Sequence, residues 1–193
     1  LETARNRVHT ADARDFIERA AAGGVRYDVI LLDAFDAEYV PPHLATRGFF
    51  AAVAGALAPG GVMMANTFSC RPAAARELAT YQAVWSEVRT LSTGTVNVVV
   101  VATDEWPSPA LLRSRALSWA PALSRFGVHV EDCLLRYRRL STPTACPFED
   151  AREGIRCPPA VSQKGPAGSQ EPLDVPAAAA PSETGRALRM TSA

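Results

Sequence analysis

Two rhythms of apolar and polar positions run through this chain, and each predicts an element. Tyr27-Asp28-Val29-Ile30-Leu31-Leu32-Asp33 is an aliphatic run of strand length closed by an acid. An apolar run of this kind, without alternation, predicts a strand buried on both faces, as in a parallel sheet flanked by helices. Before it, Phe16, Ile17 and Ala20 fall at helical spacing, with Asp12 or Asp15 placed to cap the helix and Gly23-Gly24 placed to end it. A short strand is expected still earlier, over residues 7–10. After the central run, Pro41-Pro42 marks a loop. Thr46 then opens a helix through Phe49, Phe50, Val53 and Leu57, and Pro59-Gly60-Gly61 stops it before a strand over 62–66.

The second half is less regular. Leu78, Tyr81, Val84, Trp85 and Val88 predict a helix within 77–88. Strands over 87–91 and 96–103 are separated only by Ser92-Thr93-Gly94-Thr95. They form an antiparallel hairpin, because a parallel crossover needs about a dozen residues or more. Residues 111–126 predict a helix interrupted or kinked at Pro121, and 128–140 fit neither rhythm. From Ser141 onward prolines are scattered among Ala, Ser and Gly and no periodicity survives. The pattern divides the chain into a folded unit over 1–140 and a disordered tail over 141–193, which buries too little to offset its ordering entropy.

The element order is that of an α/β protein, part of a doubly wound sheet with an antiparallel edge hairpin. In such sheets ligands bind beyond the carboxyl ends of the strands. Asp33 and Asp36 lie at one such tip and Asn66 at the next. On pattern alone the two acids read equally well as solvated loop acids.

Composition narrows the function classes. The 193 residues suffice for one domain with a core. Twenty basic and 20 acidic residues give zero formal net charge, which removes the electrostatic argument for nucleic acid or an anionic membrane. No apolar run is long enough to span a bilayer, and no basic start leads into an apolar leader, so a cytoplasmic location is expected. Cys70, Cys133, Cys146 and Cys157 show no metal-ligand spacing and read as structural thiols, with no metal expected. No G-x-S-x-G surrounds Ser69, so hydrolase chemistry has no support. His9 reads as structural, and His43 as a surface-loop residue.

One family does share these features. The run from Asp12 through Tyr27-Asp-Val-Ile-Leu-Leu-Asp33-Ala-Phe-Asp36, Leu44-Ala-Thr46, Phe49-Phe50, Leu57-Ala-Pro-Gly-Gly-Val62 and Ala65-Asn66-Thr67 resembles the polyamine aminopropyltransferases, in particular bacterial spermidine synthase-like proteins. The resemblance covers roughly residues 7–104. It implies a Rossmann-like fold of the class I methyltransferase type, and aminopropyl transfer from decarboxylated S-adenosylmethionine to a polyamine such as putrescine. By position it makes Asp33 the general base, with a side toward the nucleoside. Asp36, Tyr39 and Asn66 would meet the amine, and Asp12 with its neighbour Ala13 would meet the adenine. The chemistry fits the residue types. A polyamine is a cation that fixed carboxylates hold, and its attacking nitrogen must lose a proton.

The chain departs from the family in lacking the Gly-rich loop and the acid of the second strand. It also starts at Leu1, a few residues before the first expected strand. The sequence therefore reads as a piece of a longer protein, with the first strands of the sheet missing. An exposed sheet edge, and homo-oligomers formed through it, are expected. Two rival readings stand beside the first: an S-adenosylmethionine-dependent methyltransferase, which has no need of Asp36, and a non-catalytic truncated binding domain.

Overall fold

The computed structural model describes residues 7–35, 40–68, 74–141, 143 and 145–150, and the backbone of 187–191. Asp36 and Tyr39 lie outside the described residues, as do Ser69, Cys70 and most of the region after 150.

Among the described residues six strands form one sheet, in the order β5-β3-β4-β2-β1-β6. β1 (Tyr27–Asp33) and β2 (Leu57–Phe68) are parallel, in register Ile30 to Met63 and Leu32 to Ala65. They are connected through a 3-10 turn at Pro42–Leu44 and helix α2 (Arg47–Gly55). β3 (Val88–Ser92) and β4 (Asn97–Ala102) make the expected antiparallel hairpin, whose turn needs Gly94 at positive φ. The hairpin is not at the edge. β4 pairs with β2, and β5 (Tyr137–Arg139) lies outside β3. This is the mixed α/β sheet, with an antiparallel portion, that the sequence pattern implies.

One face of the sheet holds the core. Ile30, Leu32 and Ala34 of the β1 segment, Met63 and Ala65 of β2, and Val100 and Ala102 of β4 are buried there. Phe49, Phe50 and Val53 of α2, Tyr81 of α3 (Ala74–Gln82) and Trp85 join the same cluster, as do Ile17 and Ala20 of α1 (Ala13–Ala22). Phe50 is the hub. Its ring stacks on Tyr81 with centroids 4.2 Å apart and meets Phe49 and Trp85 at 5.5 and 6.3 Å. The opposite face is only half-buried and carries Asp33, Asn66 and Asn97 at one end.

Both predicted N-caps are present. Asp12 accepts from the backbone N–H of Arg14 and Asp15 at the start of α1, and Thr46 Oγ1 accepts from Phe49 N–H at the start of α2.

Several expectations are corrected. Residues 7–10 form no strand, and all four are exposed. Pro59-Gly60-Gly61 does not precede the strand but lies within β2, as an irregularity in its pairing with β1. Gly60 takes a positive φ, and a Cβ at Gly61 would press on the Ala58 and Tyr27 carbonyls. α4 (Pro109–Ser124) runs through Pro121, and the ambiguous stretch resolves into α5 (Val130–Arg136) followed by β5.

Beyond the expected boundary at Ser141, the described residues 145–150 pack on the domain. Phe148 N–H donates to Thr80 Oγ1 at 2.8 Å and Phe148 O accepts from Arg47 N–H at 2.8 Å. The Arg76 guanidinium lies over the Phe148 ring. Backbone polar groups and single anchors hold this strap, and neither leaves a periodic signature. β6 (Ala187–Thr191) pairs in parallel with β1, so the outer edge of β1 is covered rather than open. Cys133 is a free thiol, but Cys146 is disulfide-bonded, against its reading as a thiol.

Candidate active site

The site is built at the carboxyl ends of β1 and β2. Their parallel register sets Asp33 beside Asn66 on the same face. Asn66 Nδ2 donates to Asp33 Oδ1 at 3.3 Å, and Asn97 Nδ2, from β4, donates to Asn66 Oδ1 at 3.1 Å. Beyond them Phe35 stacks on Phe68, centroids 5.1 Å apart. Two residues picked from sequence are thus brought into direct contact. Asn97 was missed; its only signal was a polar residue at the head of a Val-rich strand.

The second part of the site is the N-terminus of α1. Asp12 spends Oδ1 on capping the helix and turns Oδ2 to His43 Nε2, 2.9 Å away. The Asp15 N–H, followed by His43 and the Arg14 N–H, holds the Asp12 carboxyl below its ordinary pKa. His43 is therefore a partner of a predicted site residue rather than an idle loop histidine.

A narrow, mostly apolar cleft opens on the core face of the sheet, near the strand tips. Ala13, Leu32, Leu44, Phe49, Asn66 and Tyr81 line it. Its lining includes Ala13, next to Asp12 in sequence, and Asn66, which donates to Asp33. Behind Tyr81 lies Glu77, 2 % exposed, which accepts from Thr67 Oγ1 at 2.9 Å and from the Tyr81 hydroxyl at 3.3 Å. Two donors to one buried carboxyl fix Tyr81 against the cleft. The sequence reading took Glu77 only as a helix start.

Arg14 ties the α1 end of the site to the strap. Its guanidinium donates to Asp150 Oδ1 at 2.6 Å, to Thr46 Oγ1 at 3.2 Å and to the His43 carbonyl at 3.3 Å. A Cβ at Gly48 would overlap the Asp150 carboxylate, which would have to swing aside. Arg14 holds the Asp150 carboxyl below its ordinary pKa, helped by Thr46 and the Gly48 N–H. A depressed folded-state pKa contributes stability that is present above the ordinary carboxylate value and lost as pH falls through the folded one. Asp150→Asn is thus expected to lower the melting temperature at pH 7, with the gap to wild type closing below about pH 4. Thermal melts across pH 2.5–7 check this, and a gap independent of pH would exclude the ionic contribution.

Among the described residues no three His, Cys, Asp or Glu side chains gather as a metal site, and no helix is long and apolar enough to cross a membrane.

The parallel pair, its antiparallel extension and a site at the strand tips define a class I methyltransferase-type α/β domain. Solved structures with this fold include human methyltransferase-like protein 13 in complex with SAH, at TM-score 0.53 and 29% identity over 65% of this chain and 60% of that one. A probable spermidine synthase from Corynebacterium glutamicum has TM-score 0.53 and 22% identity, over 78% of this chain and 56% of that one. No family model matches the sequence. A curated relative, the polyamine aminopropyltransferase of Vibrio vulnificus, is 38% identical over 149 residues, 76% of this chain. Over that region the chain is a homologue of the polyamine aminopropyltransferases, as its sequence resemblance implied. It spans about half the length of that relative, 48%.

Proposed function

We propose that this chain contributes the acceptor side of an aminopropyltransferase, which moves an aminopropyl group from decarboxylated S-adenosylmethionine to a polyamine. The observation that carries the reading is Asp33, held at the tip of β1 by Asn66, which also borders the apolar cleft lined by Ala13, the neighbour of Asp12. The amine nitrogen attacks the carbon bonded to the sulfonium sulfur. The C–S bond breaks, its electron pair returns to sulfur, and the leaving group is a neutral thioether that needs no acid. The nitrogen sheds a proton, for which the Asp33 carboxylate is the acceptor. Asp36 and Tyr39 would hold the rest of the cation, and Asn66 would keep Asp33 in place.

On the nucleoside side, the apolar cleft suits a flat heteroaromatic ring. A carboxylate offers about four acceptor sites. Asp12 uses two on the helix and shares one with His43, which leaves one for an exocyclic amine.

The likeness to an SAH-bound methyltransferase supports a second reading, methyl transfer from S-adenosylmethionine on the same fold. One assay separates them. The protein is offered putrescine with each donor, and products are read by mass spectrometry. Spermidine from the decarboxylated donor, with no methylated amine from the other, is expected. Methylated product from S-adenosylmethionine alone would replace the first reading with the second.

A further inference from the structure

We propose that Asn97 is a positioning residue that sets the polarity of Asn66 and, through it, the state of Asp33. The inference rests on the reading of Asp33 as proton acceptor. An ionised carboxylate only accepts hydrogen bonds. Asn66 must then present Nδ2 to Asp33, as observed at 3.3 Å, which turns its Oδ1 away. That oxygen is met by Asn97 Nδ2 at 3.1 Å. The requirement passes along the row: Asp33 needs a donor at position 66, and the carbonyl end of Asn66 then needs a donor at position 97.

The three side chains come from three neighbouring strands. β1–β2 register sets Asp33 beside Asn66, and β2–β4 register puts Asn66 opposite Val99 and Phe68 opposite Asn97. Side chains at 66, 68, 97 and 99 therefore share a face. Asn97 is half-buried on β4, with β2 lying between it and the strand of Asp33, so its route to Asp33 runs through Asn66. Its local structural duties are carried by backbone: Asn97 N–H donates to Thr95 Oγ1, and Asn97 O accepts from Thr93 N–H and Thr93 Oγ1. A side-chain substitution leaves those bonds in place.

With a donor lost at 97, Asn66 gains by turning its Nδ2 toward the new neighbour or solvent, and its carbonyl then faces the carboxylate. Asn97→Asp is the sharpest probe, because it keeps the shape and reverses the polarity. Asn97→Leu removes the donor without adding charge, and Asn97→Gln keeps one.

Two readouts test the proposal. The first is kinetic: Asn97→Asp is expected to lower kcat about tenfold, the scale of one hydrogen bond to a charged group, with KM for the nucleoside donor unchanged. Asn97→Gln should retain more activity than Asn97→Leu. In an Asn66→Ala background, Asn97→Asp should add little, because the intermediary is gone. The second readout needs no turnover: the side-chain amide resonances of Asn66 should shift on Asn97→Asp and on Asn97→Leu. Additive effects in the Asn66→Ala background, or Asn66 resonances that ignore both substitutions, would overturn the relay. If wild type transfers neither group, the functional reading fails by itself and the amide resonances decide the relay alone. If Asn97→Asp does not fold, the Leu and Gln variants carry the same comparison.

Discussion

Asp33→Asn is expected to reduce aminopropyl transfer by about 10²- to 10⁴-fold, the usual contribution of a positioned base. The substitution is nearly isosteric. It keeps an oxygen able to accept from Asn66 Nδ2, so the strand tip and the β1–β2 register should persist. What is lost is the negative charge that, on the proposed reading, would receive the ammonium proton. The cleft proposed for the nucleoside is lined by Ala13, Leu32, Leu44 and Phe49, and the substitution alters none of these side chains. Affinity for the thioether product, measured by calorimetry, should therefore stay close to wild type while single-turnover transfer collapses. Turnover at the wild-type rate would remove Asp33 from the chemistry and leave it a strand-end acid.

The second large effect is on stability. Phe50→Ala is expected to cost about 3–5 kcal/mol, a large share of the 5–15 kcal/mol typical of a folded domain. Phe50 is 1 % exposed and touches Phe49, Tyr81 and Trp85 at once. Its removal opens a void under three rings that cannot all move in. Tyr81 would also lose the stacking that aims its hydroxyl at buried Glu77. A fall in melting temperature of about 10 °C follows for a chain of this size. Because Phe50 also lines the cleft, nucleoside affinity should fall with it. Phe50→Leu, which fills much of the volume, should lose less than half as much. Equal melting temperatures for Phe50→Ala and wild type would mean that the aromatic cluster is not the keystone of this core.

Much of this was legible in the sequence because it is written locally. The β1 run, the caps at Asp12 and Thr46, the hairpin around Gly94 and the acid at the tip of β1 each depend on a few adjacent residues. The contact between Asp33 and Asn66 followed from a rule about strand ends, and the register supplied it. What was not legible depends on partners far away in the chain. Asn97 matters because β4 lies next to β2, and a strand order with that insertion has no local signature. Glu77 reads as an ordinary helix-start acid until Thr67 is found beside it. The strap around Phe148 is held by backbone groups and by Arg14, Arg47 and Arg76, none of them apolar and periodic. The strand expected over residues 7–10 did not form: Val8 is the one aliphatic residue of that run, too little to fix a strand on its own.

β6 lends this arrangement an order in time. Hairpin β3–β4 closes over a few residues, and β1–β2 over one helix, whereas β1 receives its outer neighbour from the far end of the chain, with Thr191 set against Asp33. Closing the longer loop costs more entropy, and contacts of that kind form late. Until β6 docks, β1 lacks this partner, and any extended segment of matching pattern can compete with β6 for that flank.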